Sequence, residues 1–337
     1  MNISEYVKAF GETELTPYNM RIADQLVFSA LSYTDFTMVS DGFQSKMKLS
    51  DAINQLFAFS LFLPEDEQKF LLSLRESRRF SDLYIMGYRH DYAGLDNPMQ
   101  FSSLTIQISE SLFFISYSGT DGTVVGWKED FQFSYLLQTP AQEKALSYLN
   151  EAAEHLNGHF IIGGHSKGGH LSVYAALHAE RQVRERINQV YNNDGPGFNK
   201  QVSITSKESY QETVDKLSCI VPQDSVIGQL LETFPKSCYR VVHSNSDKFL
   251  WEHDIFTWQI DESGSLQWEP ALNKKTHAAM KILNSLIQNI PLDICEQLTN
   301  FIFNEMDKQD IKLVDALNNF VLTSLPIEYL KYAKKSE

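Results

Sequence analysis

The chain has few cysteines, no long apolar run and no surplus of positive charge, and each shortage removes a class of protein. Cys219, Cys238 and Cys295 form an odd set with no close pairing, which argues against a disulfide framework or a cysteine zinc site. The longest apolar stretch, around 56–63, stops at Pro64-Glu65-Asp66 and is too short to span a bilayer, so no transmembrane segment is expected. With 29 basic against 43 acidic residues the net charge is −14, and no basic run offsets it, so nucleic acid is not an expected partner. No two histidines stand at a recognised ligand spacing, and no metal site is expected. Gly163-Gly164-His165-Ser166-Lys167-Gly168 lacks the four-residue gap of a phosphate-binding loop, and no cofactor is expected. Met1-Asn2-Ile3-Ser4-Glu5-Tyr6 has neither the basic start nor the apolar core of an export signal, which gives an expectation of cytoplasmic residence.

What is present is ordinary globular composition, 43% hydrophobic and 21% charged over 337 residues, enough for a substantial core. Ile22, Leu26, Val27, Ala30 and Leu31 recur at helical spacing, followed by Ile53, Leu56, Phe57 and Leu61, then Phe70, Leu71 and Leu74. The basic stretch from Arg75 to Arg79 reads as a solvated face. From about residue 83 the period becomes strand-like, with Phe101, Leu104, Ile106 and Ile108, a turn at Ser109-Glu110-Ser111, and a second strand from Leu112 to Tyr117. Ala145, Leu149, Ala152 and Leu156 mark a helix. Short β-rich runs follow at 160–162, 187–191, 217–221 and 239–242. Helical periodicity returns with Ala279, Ile282, Leu283 and Leu286, then Ile311, Val314, Leu317, Val321 and Leu325. Alternating strands and helices predict an α/β fold with a mostly parallel sheet and helices on both faces. The expected division is a helical region over 1–80, an α/β core over 81–270 and a helical extension over 271–337.

Within that core the most telling segment is Gly164-His165-Ser166-Lys167-Gly168, entered from Phe160-Ile161-Ile162 and left through Gly169-His170-Leu171. A strand, a very tight turn and a helix hold the central serine in a strained conformation that tolerates only tiny residues two positions away on either side. The strain exposes the Ser166 hydroxyl at the positive end of a helix.

A serine hydroxyl needs a base, usually a histidine held by a carboxylate, and this architecture imposes the chain order serine, acid, histidine. Asp224, just past a predicted strand, is the first choice of acid. Asp194, in Asn193-Asp194-Gly195-Pro196, also ends a strand and is the alternative, with Asp247 and Asp254 behind them. His253 is the first choice of base, in a loop from Trp251 to Trp258 whose aromatics suit a lid or pocket wall. His243 is the alternative base. His165 and His170 lie too close to the serine in sequence to turn back on it. For the oxyanion, the backbone N–H of Lys167 is one expected donor, and Thr120, in Ser118-Gly119-Thr120-Asp121, is the other, through its N–H and its hydroxyl.

Tyr117-Ser118-Gly119-Thr120-Asp121 and Gly126-Trp127-Lys128-Glu129-Asp130-Phe131 resemble segments of the class 3 lipase branch of the α/β-hydrolases. The closer resemblance is to the bacterial Mbeg-like hydrolases within it. It is carried further by Leu31-Ser32-Tyr33-Thr34-Asp35-Phe36, by Gly164 to Leu171, by Asn193 to Phe198, and by His253 to Trp258. It implies an α/β-hydrolase fold, Ser166 as nucleophile, Asp224 as acid, His253 as base, and Thr120 with Lys167 as oxyanion donors. Two residues depart from the lipase pattern. Ser118 stands where an arginine is common. Lys167 replaces an apolar residue, so a lysine in the pocket would suit a polar or anionic substrate, and otherwise it would extend to solvent.

The expected activity is therefore cleavage of a small-molecule carboxylic ester through an acyl-enzyme. Acyl transfer or thioester cleavage by the same residues is the neighbouring alternative, and a non-catalytic binding or scaffold protein on a hydrolase fold is the alternative from another class.

Overall fold

The computed structural model describes residues 1–309 apart from 40–41, 60–62, 201–205, 232–233 and 247–250. The helical pattern from Ile311 to Leu325, Leu61 and the candidate Asp247 lie outside the described residues. In chain order the elements are α1 (Ile3–Phe10), α2 (Ile22–Leu31), β1 (Met47–Lys48), α3 (Leu49–Phe59), α4 (Glu65–Glu76), β2 (Tyr84–Ala93), β3 (Met99–Ser109), β4 (Leu112–Tyr117), α5 (Val124–Gln132) and α6 (Pro140–His155). They continue with β5 (His159–His165), α7 (Lys167–His178), α8 (Arg181–Arg184), β6 (Ile187–Asn193), α9 (Lys207–Val214), β7 (Leu217–Pro222), β8 (Tyr239–Val242), β9 (Trp268–Glu269), α10 (Lys274–Asn289) and α11 (Leu292–Gln309).

The nine strands form one sheet in which spatial order follows chain order, β1 to β9. Strands β4 to β8 run parallel, while β1–β2, β2–β3, β3–β4 and β8–β9 pair antiparallel. The parallel region expected from the alternating pattern is thus the centre of a mixed sheet, and the architecture is that of an α/β-hydrolase. Two short edge strands, β1 and β9, carry no periodic signal in the sequence.

Linear strand order has a physical consequence. Right-handed crossovers that always step the same way put their helices on one face. There α6 and α7 pack on Phe113, Ile115, Tyr117, Phe160, Ile162 and Val190. A parallel sheet must also cover its second face, and residues from α1 to α4 do so. Phe28 of α2 meets Phe114 with ring centroids 5.1 Å apart, and the Ser116 hydroxyl donates to the Phe28 carbonyl at 3.0 Å.

The N-terminal cover is fastened by a buried ion pair. Arg79 Nε and Nη2 donate to the two Asp24 carboxylate oxygens at 2.7 and 2.6 Å, and the Tyr6 hydroxyl adds a third bond at 2.8 Å. The expected solvated face at 75–79 therefore ends in an arginine that is only 1% exposed. The charge is kept there because the carboxylate and the carbonyls of Thr13 and Asn19 satisfy it. At the other end of the chain, α11 packs on α5, with Phe303 edge-on to Phe131 at 5.1 Å. Among the described residues no helix is long and apolar enough to cross a membrane.

Candidate active site

Strand β5 delivers Ser166 at φ 58° and ψ −129°, and α7 begins at the next residue. The cause is steric. A Cβ on Gly168 would stand 2.0 Å from the Tyr117 carbonyl oxygen, and one on Gly164 would stand 2.3 Å from that same atom. Neighbouring β4 therefore permits this turn only with glycine at both positions. The Lys167 N–H opens the helix, where the first amides have no acceptor of their own. Among the described residues the Ser166 hydroxyl takes no hydrogen bond.

Strand β6 pairs with β5 so that Asn193 lies opposite His165, and Ser166 N–H donates to the Asn193 carbonyl at 2.8 Å. The next residue, Asp194, turns at φ 52°, a left-handed conformation that Asp tolerates better than most side chains. A Cβ on Gly195 would come within 2.4 Å of the Ser166 carbonyl oxygen, so this turn passes against the serine backbone.

Asp194 is fully buried and saturated. Its Oδ1 accepts from the Ser225 hydroxyl and from Gly228 N–H, and its Oδ2 accepts from His253 Nδ1 at 2.7 Å. That last bond joins His253 to Asp194, the alternative acid, and not to Asp224, the first choice. Asp224 instead accepts from Thr276 Oγ1 and Asn273 Nδ2, tying the start of α10 to the core, while its N–H donates to Glu252. The loop after β7 does reach the site, but through Ser225, one residue further on.

His243, the alternative base, lies where β8 meets β9, with Nδ1 2.9 Å from Glu269 and 3.1 Å from Gln223, whereas the carboxylate on the turn that passes against Ser166, Asp194, bonds His253. Asp254 is spent locally, accepting from Phe256 N–H at 2.9 Å.

The loop from Trp251 to Trp258 is the segment that carries His253. Trp258 is fully buried and its indole donates to the Glu252 carbonyl at 2.8 Å, while Phe256 meets Phe70 edge-on at 5.3 Å. The expected lid or pocket-wall segment is therefore packed on the core through Trp258 and Phe256.

Sequence reasoning missed how His253 is held. His165 Nε2 lies 2.6 Å from the His253 carbonyl, which can only accept, so the proton is on Nε2 and Nδ1 accepts from the Tyr33 hydroxyl at 2.8 Å. Burial first, and the neighbouring His253 second, hold the His165 imidazole well below its ordinary value, which keeps it in this neutral form. His170 is likewise buried and neutral, stacked on Phe133 at 4.0 Å, with burial lowering it to about 4.

Opposite the serine, the loop after β4 presents Ser118-Gly119-Thr120. A Cβ on Gly119 would lie 2.8 Å from the His165 carbonyl oxygen and would also displace the Tyr33 hydroxyl, so glycine is favoured there as well. The Thr120 hydroxyl donates to Asp130 Oδ2 at 2.5 Å, which leaves its backbone N–H as the group free to meet an oxyanion. Lys167 neither lines a pocket nor reaches solvent, since its side chain is fully buried with Nζ 2.6 Å from Glu129 Oε2. The chemistry available is a hydroxyl in a strained turn, an imidazole with one nitrogen held by a buried carboxylate, and amide donors at a helix start. Among the described residues no group of three or more His, Cys, Asp or Glu side chains could hold a metal ion.

A family model described as Mbeg1-like matches residues 74–304. No curated protein sequence matches the chain. Among solved structures, the M37 lipase is 15% identical, with 60% of this chain and 68% of that chain covered at a TM-score of 0.36. The Rhizomucor miehei lipase propeptide complex is 12% identical over 67% of this chain and 69% of that one, TM-score 0.37. A fungal lipase–inhibitor complex is 11% identical over 80% and 94%, TM-score 0.41. The fold is carried by the chain's own sheet order and by the turn at Ser166.

Proposed function

The chain belongs to the Mbeg1-like family, and from the arrangement around Ser166 we propose that it is a serine hydrolase cleaving carboxylic esters through an acyl-enzyme. Ser166 is the nucleophile, His253 the general base, and Asp194 the carboxylate that holds it. The observation that carries this reading is the 2.7 Å bond from His253 Nδ1 to buried Asp194, on the turn that passes directly against Ser166.

A neutral imidazole that donates from Nδ1 keeps a lone pair on Nε2, and that lone pair takes the Ser166 proton as Oγ attacks the ester carbon. The imidazolium so formed is stabilised by Asp194, whose other oxygen is already occupied by Ser225 and Gly228 and cannot turn away. The negative charge that moves onto the carbonyl oxygen meets the N–H groups of Lys167 and Thr120. Collapse of that intermediate expels the alcohol, which receives the proton from His253. Water then attacks the acyl-enzyme by the same route in reverse.

The test is turnover of a p-nitrophenyl ester series by wild type, Ser166→Ala and His253→Ala. Each variant should lose on the order of 10³-fold or more in kcat while remaining folded. Turnover unchanged in either variant removes that residue from the mechanism.

A further inference from the structure

Lys167 breaks two rules at once. A cation at the first residue of a helix opposes the helix dipole, and a fully buried ammonium forfeits its hydration. Stability alone would favour an apolar side chain there, so what the ammonium touches is informative. Nζ lies 2.6 Å from Glu129 Oε2, 3.3 Å from Gln100 Oε1 and 3.7 Å from Asp130 Oδ1. All three belong to the scaffold around Thr120. Gln100 Nε2 donates to the Gly119 carbonyl at 3.3 Å, and Asp130 Oδ2 accepts the Thr120 hydroxyl.

Resting on the nucleophile reading above, we infer that the Lys167 ammonium is a positioning group that locks the Thr120 loop against the helix start supplying the other oxyanion donor. One residue would then serve both halves of the oxyanion site, with its amide directly and with its side chain through Asp130.

The two acidic partners are not equivalent. Glu129 is held without the lysine, because Oε1 accepts from Ala141 N–H at 2.7 Å and Oε2 from Gln100 N–H at 2.9 Å. Asp130 is not, since its buried Oδ1 has no hydrogen-bond partner among the described residues and the Lys167 ammonium, 3.7 Å away, is the cation beside it. The ionisable groups facing Asp130 are Lys167 from α7, Glu129 on its own helix and the Tyr33 hydroxyl from the loop after α2. The packed helix α11 meets α5 through Phe303 against Phe131. Burial raises the Asp130 carboxyl to about 6 even though Lys167 pulls it down. Without that cation Asp130 would hold its proton to higher pH, and the Thr120 hydroxyl would lose its ionised anchor.

The experiment compares wild type, Lys167→Met, Asp130→Asn and the double variant, reading kcat and KM of p-nitrophenyl ester turnover from pH 6 to 9. Fluorophosphonate labelling of Ser166 in wild type comes first. Lys167→Met keeps the backbone N–H, so kcat at pH 7 should fall about ten- to hundredfold with little change in KM. Its acid limb should move to higher pH, so that activity partly recovers at pH 9, a shift that loss of packing alone would not produce. In the Asp130→Asn background, where residue 130 has no carboxyl left to titrate, adding Lys167→Met should change neither kcat nor the profile relative to Asp130→Asn alone. The double variant also keeps the net charge of the cluster, so it carries the test where Lys167→Met alone does not fold. A folded Lys167→Met with wild-type kcat and profile, or a further loss of about tenfold in the double variant, overturns the inference and leaves the nucleophile reading intact. Absence of Ser166 labelling in wild type removes both.

Discussion

Replacing Asp194 by asparagine exchanges one oxygen for an NH₂ group, and the surroundings dictate which way the amide faces. Ser225 Oγ and Gly228 N–H both donate to the present Oδ1. The amide oxygen must stay with those donors, so the NH₂ group is turned towards His253 Nδ1, 2.7 Å away in wild type. Two donors cannot face each other. The ring therefore yields its Nδ1 proton and carries it on Nε2, and the lone pair that should accept from Ser166 is gone. On the pattern of such tautomer traps, kcat should fall by about 10⁴-fold, equivalent to about 5.5 kcal/mol of transition-state stabilisation. Folding should change little, because the two donors to Oδ1 are kept. The control is Asp224→Asn. Among the described residues that carboxylate accepts from Thr276 and Asn273, so the variant should lose about 1 kcal/mol of stability and retain its kcat. The assay is saturating p-nitrophenyl ester turnover with thermal melts of the same preparations. An Asp194→Asn enzyme with more than about a tenth of wild-type kcat, or an Asp224→Asn enzyme as damaged as Asp194→Asn, refutes the reasoning.

Gly168→Ala places a Cβ 2.0 Å from the Tyr117 carbonyl oxygen, a backbone atom that cannot yield, and should cost more than about 3 kcal/mol. Gly94→Ala, with nothing within 4 Å, should leave the melting temperature unchanged, and equal melting of the two variants contradicts the steric account. Asp130 carries the opposite signature from a salt-bridged acid. Its folded value is raised from 3.8 to about 6, so the cost of ionising it is absent below the unfolded value, grows through that window and is full above pH 6. Asp130→Asn should therefore be more stable than wild type by up to about 3 kcal/mol at pH 7, with the gain vanishing towards pH 4. Denaturant titrations across pH 4–8 check this, and a constant difference contradicts it.

What the sequence disclosed depended on how local the constraint was. The strand, tight turn and helix around Ser166 lie within one short stretch, and both flanking glycines answer to a single Tyr117 carbonyl. The carboxylate partner of His253 was harder to read, because Asp194 and Asp224 both follow β-rich runs. Choosing between them requires knowing that β6, not β7, lies beside β5. Once that adjacency is known, the turn immediately after β6 is the one that touches the serine. The buried Lys167–Glu129 pair joins residues 38 positions apart, and nothing in the local pattern separates it from a solvated lysine. Arg79 and Asp24 were hidden for the same reason, since a charge run shows its sign but not its partner. Two-residue strands such as β1 and β9 fall below any periodic signal, and strand order leaves no mark on alternation along one strand. The helical character of the first eighty residues was readable. Their task of covering the face that same-handed crossovers leave bare emerges only from the linear sheet.

The most direct test of the whole account is covalent capture of the nucleophile by a fluorophosphonate probe, mapped by peptide mass spectrometry. The account predicts one phosphonylated residue, Ser166, with labelling abolished in Ser166→Ala and slowed by orders of magnitude in His253→Ala. Labelling that persists in Ser166→Ala, or that proceeds at the wild-type rate without His253, contradicts it.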